Sequence, residues 1–233
     1  MNTEVYDKTN IVRQELFSSL GALDSDVIAP LINPFFMGGP KWPALRQAFS
    51  VIRTENSIKI ASTGLSDPYD DIDEPNNGLK LEIIAETKED IGNDISNSWL
   101  FRLVNAISQQ AVYSGQMAEF LAKYGVITMD INALDNGLED FQDENGIVGV
   151  IIGVEHPSLP KKIQFPAEEI ILATVQILTP DELKYVTEIR PEGRNYIHNL
   201  MKQSGLYHYV TPNRVSLLKA NDKKCWWKIW KKS

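Results

Sequence analysis

Carboxylates and a tyrosine follow a turn motif in the first third of the sequence. The run Gly64–Pro68 is typical of a turn, since glycine can adopt positive φ, serine and aspartate bond nearby backbone amides, and proline interrupts strand pairing. Directly after it, carboxylates can pair with lysine or arginine side chains, and tyrosine offers an amphipathic anchor. We therefore predict that a basic protein partner is contacted by Tyr69, Asp70 and Asp71. The structural turn is assigned to Gly64, Ser66, Asp67 and Pro68.

A second acidic stretch covers residues 130–145 and contains six acids and no basic residue. A calcium loop of the EF-hand type does not fit, because setting Gly146 as its glycine places Phe141 and Ile152 at ligand positions. The stretch is then either a solvated face or a second contact for a basic partner. In the second case the contacts are Asp135, Glu139 and Asp140.

Other site chemistries find little support. The sequence has no Gly-x-Ser-x-Gly elbow, phosphate-binding loop or dinucleotide fingerprint. Its three histidines and single cysteine show no zinc spacing. We predict no cofactor, no metal and no catalytic residues. The alternative is a small-molecule hydrolase, because acids are plentiful and only geometry would reveal a catalytic pair.

The last fifteen residues differ from the rest in charge. Residues 219–233 carry six lysines and one aspartate, a net charge of +5, whereas the whole chain carries −8 and residues 1–218 therefore −13. An acidic body disfavours nucleic acid and favours basic partners, or it serves solubility alone. In the tail, Trp226, Trp227 and Trp230 accompany the lysines. This chemistry suits a membrane surface, docking against an acidic body, or packing on the tail's own domain.

Compartment and class follow from simple counts. No run of eighteen apolar residues exists, and the first ten residues lack a signal-peptide pattern. One cysteine, Cys225, excludes an internal disulfide, so we expect a cytoplasmic protein. A length of 233 residues with 43% hydrophobic composition is enough for a sizeable core.

The pattern of elements predicts an α+β fold. Alternating residues predict two half-buried strands at Ile58–Ile60 and Leu79–Ile83, and apolar runs predict two more at 146–154 and 170–177. Helices are predicted over 10–20, 43–51, 98–113, 116–124, 180–187 and 192–203. Because the helices do not alternate regularly with strands, we expect one domain, 1–218, with a central mixed, mostly antiparallel sheet flanked by helices. Residues 219–233 form the separate tail.

Four blocks of the sequence resemble the suppressor-of-fused family, specifically its N-terminal domain. They are Phe36-Met37-Gly38-Gly39-Pro40 with the following 42–51, then Gly64-Leu65-Ser66-Asp67 with Tyr69, then 79–83, and finally 175–183. Their order and approximate spacing agree across residues 35–205. In animal members this domain is joined to a second one, and the two clamp a short peptide of a zinc-finger transcription factor. Short bacterial members are associated with toxin systems as proposed immunity proteins.

The resemblance implies a non-enzymatic protein-binding module, with a basic toxin domain as one class of partner. The alternatives are the hydrolase and a peripheral protein held at a membrane surface by its tail. They differ in what the fold must supply: a deep pocket with converging acids for the hydrolase, and an accessible acidic surface for the binding module.

Overall fold

A computed structural model describes residues 3–205, 208–211 and 214–219. The helices are α1 Thr3–Ser19, α2 Trp99–Ser114, α3 Met117–Tyr124, α4 Ala133–Asn136, α5 Pro180–Ile189 and α6 Pro191–Ser204. The strands are β1 Ala22–Leu23, β2 Phe49–Arg53, β3 Ile58–Ser62, β4 Leu81–Thr87, β5 Ile127–Asn132, β6 Ile147–Ile152, β7 Lys162–Gln164 and β8 Glu169–Ile177. None of the helices in this described part combines the length and apolarity that a bilayer crossing requires.

The strands form one mixed sheet in the order β1-β2-β3-β4-β8-β6-β5, with β7 pairing to β8 at the side. All pairs are antiparallel except β4 and β8, which run parallel with Leu81 opposite Ile171. The predicted fold class, a single α+β domain with a mostly antiparallel sheet, is confirmed.

Helices cover both faces of this sheet. On one face, α2 and α3 pack on the alternating apolar residues of β2, β3, β4, β6 and β8. On the other face, Phe17 of α1 packs against Ile52 and Ile84, while Leu183 and Val186 of α5 pack against Ile151 of β6. The core is therefore split into layers by the sheet, as period-two strands require.

The prediction that β3 and β4 are half-buried is wrong. Every residue of both strands is buried, because they lie in the centre of the sheet with helices on both sides. Their polar residues do not face water but form ion pairs inside the protein: Lys59 with Glu86, and Glu82 with Arg13. Alternation in sequence indicates exposure only when one face of a sheet is open.

Local signals placed most of the helices correctly. Ser98 caps α2 by accepting a hydrogen bond from the Phe101 backbone amide, and Gly115 ends that helix in the left-handed conformation. The capping box of Thr179 and Glu182 opens α5, and Gly205 ends α6. Helix α1 begins at Thr3, seven residues before the predicted start.

The predicted helix over 43–51 is wrong. Pro43–Leu45 is a short 3₁₀ turn, and β2 begins at Phe49. Phe49 and Val51 point into one layer of the core and Ile52 into the other, so strand pairing with β3 prevails over the helix-compatible start at Pro43. Strand β5 also arises where the sequence suggested only an acidic connection.

The two acidic segments lie at opposite ends of the sheet. The β3–β4 loop, residues 63–80, joins these strands at the end where β8 begins, since Leu81 pairs with Ile171. The connection from β5 to β6, residues 133–146, lies at the end where β8 finishes, since Val150 pairs with Ile177 and the strands continue past it. The seven residues of β4 separate the two ends by roughly 20 Å.

Candidate functional site

A buried ionic cluster holds the β3–β4 loop in place. Arg13 of α1, only 3% exposed, donates from Nη2 to Asp67 Oδ1 at 2.5 Å and to Ser66 Oγ at 3.0 Å. Its Nη1 donates to the Thr63 carbonyl at 2.9 Å. Burial lowers the pKa of Arg13, but the charges of Asp67 and Glu82 outweigh that effect and raise it. One guanidinium therefore ties the helix to the loop.

Glu82 of β4 completes this cluster beneath the loop. Its Oε1 accepts hydrogen bonds from the Ser66 backbone amide at 3.1 Å and from Ser66 Oγ at 2.6 Å, and Ser62 Oγ donates to Oε2 at 2.5 Å. Arg13 Nε lies 3.3 Å from Oε1. Burial raises the pKa of Glu82. The charge of Arg13 and the hydrogen bonds from Ser62 and Ser66 lower it by a smaller amount, so the net shift is upward. Arg13, Ser62, Ser66 and Glu82 come from α1, β3, the β3–β4 loop and β4, so they fix how these four parts of the fold meet.

The turn residues act differently from the sequence prediction. Ser66 and Asp67 were expected to bond nearby backbone amides, but their side chains bond Glu82 and Arg13 instead. Gly64 was expected to exploit positive φ. Its actual requirement is space, since a Cβ there would lie 2.1 Å from the Arg46 carbonyl oxygen. Positive φ occurs at Gly78, at the other end of the loop, where φ is +51°.

Asn77 fastens the second half of the loop. Its Nδ2 donates to Thr9 Oγ1 of α1 at 2.9 Å and to the Ser66 carbonyl at 3.2 Å. Its Oδ1 accepts from the Ala167 and Glu168 amides at 3.0 and 3.2 Å. The base of the loop is thus bonded to α1 on one side and to the β7–β8 connection on the other.

The predicted contact residues project from this fixed base. Tyr69 is half-buried against the main core, and burial, together with the charge of Asp71, raises its pKa. Asp70 and Asp71 form ion pairs with Lys41, at 2.8 and 3.4 Å from its Nζ. The sequence prediction did not include Lys41, and this pairing neutralises part of the negative charge.

Next to Lys41 lies an apolar surface that sequence reasoning did not identify as a site. Residues 31–37, here called the 31–37 segment, expose Leu31, Ile32, Phe35, Phe36 and Met37 to solvent. The available signal was five large apolar residues within seven, interrupted by Pro34 and without a strand or helix period. The segment leads through Gly38, Gly39 and Pro40 to Lys41, whose ammonium group pairs with Asp70 and Asp71.

The second predicted group lies away from the first. Asp135 is in α4, and Glu139 and Asp140 are in a 3₁₀ turn that follows Gly137. Arg102 of α2 donates to the Gly137 carbonyl at 3.3 Å, and Trp99 packs on Phe141. These acids therefore stand at the opposite end of the sheet from Tyr69, and the two groups do not form one compact patch.

A second buried ionic cluster was also missed by the sequence prediction. Glu86 of β4 lies 2.9 Å from Lys59 Nζ and 2.6 Å from His156 Nε2, and it accepts a hydrogen bond from Ser57. Burial opposes ionisation of Glu86, but hydrogen bonds from His156, Ser57 and Lys59 outweigh it and lower its pKa to about 2. Residues 208–211 run alongside, with the Val210 amide donating to the Glu86 carbonyl at 2.7 Å.

Metal binding finds no support in the described ranges, where no group of three or more His, Cys, Asp or Glu residues is arranged to hold an ion. The predicted tail residues Trp226, Trp227 and Trp230 lie outside the described residues.

We expect Arg13→Met to lower the free energy of unfolding by about 3–5 kcal/mol, because it leaves the buried Glu82 without its countercharge and Asp67 with Arg46 alone. Lys8→Met on the same helix is the matched control, since its ion pair with Glu4 is exposed and should contribute nothing measurable. Urea titration of both variants decides the matter. Equal midpoints for the two would show that the buried cluster does not stabilise the fold.

Glu86 should make stability depend on acid pH. A carboxyl whose pKa is about 2 in the folded state and near 4.5 in the unfolded chain stabilises the fold above pH 4.5, and this contribution is lost as pH falls towards 2. We expect the loss, about 3 kcal/mol, to be absent in Glu86→Gln. Unfolding free energies measured at several pH values for wild type, Glu86→Gln and the exposed control Glu89→Gln test this. Parallel curves for all three would contradict it.

Comparison with known proteins gives the fold a precedent. No family model matches the sequence, and no curated protein matches it. The structure is similar to a chain in the crystal structure of the Sufu–Fu complex, with a TM-score of 0.56 and 15% identity over 90% of this chain and 91% of that one.

It is also similar to the crystal structure of Drosophila Suppressor of Fused, with a TM-score of 0.52 and 14% identity over 86% of this chain. This chain spans about half (49%) of the length of that protein. The chain therefore has a suppressor-of-fused-like fold, as its sequence blocks suggested.

Proposed function

We propose that this chain is a non-enzymatic protein-binding module, and that its partner surface is the 31–37 segment together with Tyr69, Asp70 and Asp71. The observation that carries the proposal is an exposed apolar segment linked through Lys41 to an acidic loop whose base is held by buried hydrogen bonds. Support for the general class comes from the fold, because one structure of similar fold is of a protein complex, Sufu with Fu.

The apolar part of this surface consists of large side chains that are exposed to water, which is unusual. Leu31 is fully exposed, and Phe36 and Met37 are 71% and 78% exposed. Single exposed apolar residues are common, but a run of them beside polar residues marks a surface that another molecule covers. Phe and Met are also the residue types enriched in the centres of protein interfaces.

The backbone of the 31–37 segment is fixed by its own hydrogen bonds. Asn33 accepts a bond from the Phe35 amide at 3.0 Å through Oδ1 and donates to the Leu45 carbonyl through Nδ2. The Gly39 amide donates to the Pro34 carbonyl at 2.8 Å. A surface held in one conformation loses little conformational entropy on binding, which favours affinity.

Charge indicates which partner fits. Asp70, Asp71, Asp73 and Glu74 follow one another closely in the loop, and Lys41 is the base that pairs with the first two. A partner with an apolar centre and surrounding lysines or arginines would satisfy both parts of the surface. A basic toxin domain belongs to this class, and a cytoplasmic immunity protein would use such a surface to neutralise it.

The buried carboxylates of the fold do not support the hydrolase alternative. Asp67, Glu82 and Glu86 are buried carboxylates, but each is bonded to side chains from other elements of the fold. Such bonding is what a structural carboxylate needs, and it leaves these groups engaged rather than turned toward a substrate.

The proposal is tested with the full chain as bait in a pull-down from the source cell, followed by calorimetry with the captured protein. Phe36→Ser with Met37→Ser should weaken binding at least about tenfold, because it removes two apolar anchors. The double variant Asp70→Lys with Asp71→Lys should also weaken binding, and this loss of affinity should be larger at low salt than at high salt. Both pairs change exposed or half-exposed side chains, so thermal unfolding should show an intact fold.

The control is Glu55→Lys with Glu119→Lys, which makes the same change of charge at exposed sites on the β2–β3 turn and on α3. Its affinity should equal that of the wild type after allowance for the net charge. Unchanged binding by the Phe36/Met37 variant would remove the 31–37 segment from the interface.

A further inference from the structure

A groove runs beside α5 at the end of the sheet opposite the 31–37 segment. This α5 groove has a volume of about 670 Å³ and is bounded by α5, by β5 and by residues 142–147. Among the described residues that line it are five acids and one base, Lys184; the acids are Asp130, Asp143, Glu144, Asp181 and Glu188. Its apolar lining includes Ile147 and Leu183.

The groove exists because α5 covers β6 but not β5. Leu183 packs so closely on Gly149 of β6 that a Cβ on Gly149 would lie 2.6 Å from Cδ1 of Leu183. Asp130 is the β5 residue paired with Gly149, so it faces the same side of the sheet as α5. Asp130 is exposed, so the side of β5 that faces α5 is open at this position.

Two of the acids in the groove, Asp130 and Asp143, lie close enough to interact. Burial raises the pKa of Asp130, and the negative charge of Asp143 raises it further. A group of carboxylates in a partly enclosed groove concentrates negative potential there, which favours a ligand with several positive charges.

The end of the described chain is bound to α5. Arg214 Nη1 donates to Glu182 Oε1 at 2.8 Å, and the Leu217 amide donates to the same oxygen at 2.8 Å. Leu218 is buried in one cluster with Leu183 and Val186. A small cavity beside Arg214 shares two lining residues, Gln142 and Pro180, with the α5 groove. Residue 219 therefore follows directly from an anchor on the helix that forms one wall.

The sequence that follows complements the groove. Residues 220–233 contain five lysines, one aspartate and three tryptophans, a net side-chain charge of +4. Fourteen residues can extend up to about 45–50 Å, which is ample to reach a groove on the helix that holds Leu218. Because the segment is covalently attached, its effective concentration at the groove is in the millimolar range.

We propose that residues 220–233 dock in the α5 groove of their own chain, with lysine ammonium groups on the acids and indole rings on the apolar lining. This intramolecular contact goes beyond the proposed partner surface and does not depend on it, since the two lie at opposite ends of the sheet.

The single cysteine makes a direct test available. A nitroxide spin label on Cys225 of the full-length, ¹⁵N-labelled protein broadens amide signals near the tail. We expect at least about half of the signal to be lost at residues 128–132, 143–147 and 181–188, and little at residues 31–37 or 69–72. Mixing spin-labelled ¹⁴N protein with unlabelled ¹⁵N protein should give no such loss, because the contact is within one chain.

Charge reversal supplies the matched comparison. Glu144→Lys with Glu188→Lys, both exposed, should abolish the broadening, and so should glutamate at Lys223, Lys224 and Lys228. Glu15→Lys with Glu55→Lys, exposed acids remote from the groove, should leave it unchanged. The amide spectrum itself reports whether each variant is folded.

Three results would overturn the proposal: uniform signals with no loss around the groove, loss that persists after charge reversal, or loss of comparable size in the mixed sample. Partner binding through the 31–37 segment is measured separately, so a failure here leaves the proposed function standing.

Discussion

The guanidinium of Arg13 is the contact on which the arrangement of this fold most depends. It joins α1 to the β3–β4 loop through Asp67 and to the central strand β4 through Glu82, all with their side chains shielded from water. Removing three charged groups from water costs several kcal/mol per ion, and their mutual attraction, the serine hydrogen bonds, the Thr63 carbonyl and Arg46 offset it. Such a cluster tolerates few alternative geometries, so it selects one position for the helix and the loop.

That constraint accounts for how the loop can carry both buried and exposed acids. Ser66 and Asp67 are held inside by Arg13 and Glu82, and Asn77 fastens the return of the chain. Between these anchors Tyr69 packs on the core, and Asp70 and Asp71 lie towards the surface with Lys41. A long polar loop presents a defined surface only when its two ends are fixed in this way.

The fold class and most elements could be predicted from the sequence because their signals are local. The caps at Ser98 and Thr179 and the stops at Gly115 and Gly205 depend on residues within one turn of the helix. The exposure of β3 and β4 could not be predicted, because it depends on helices that arrive from distant parts of the chain. Lys59 and Glu82 look like solvent-facing strand residues until α1 and the 154–160 region are placed over them.

The candidate site was harder to predict for a related reason. Counting acids identified Asp70 and Asp140 as similar, but sheet topology places them at opposite ends. Counting acids also missed the apolar half of the surface, since Phe36 and Met37 look like core residues until their exposure is known. A net charge of −13 on the body is therefore not one property. It is distributed among buried acids that stabilise the fold, an acidic rim beside an apolar segment, and a groove whose complement lies in the same chain.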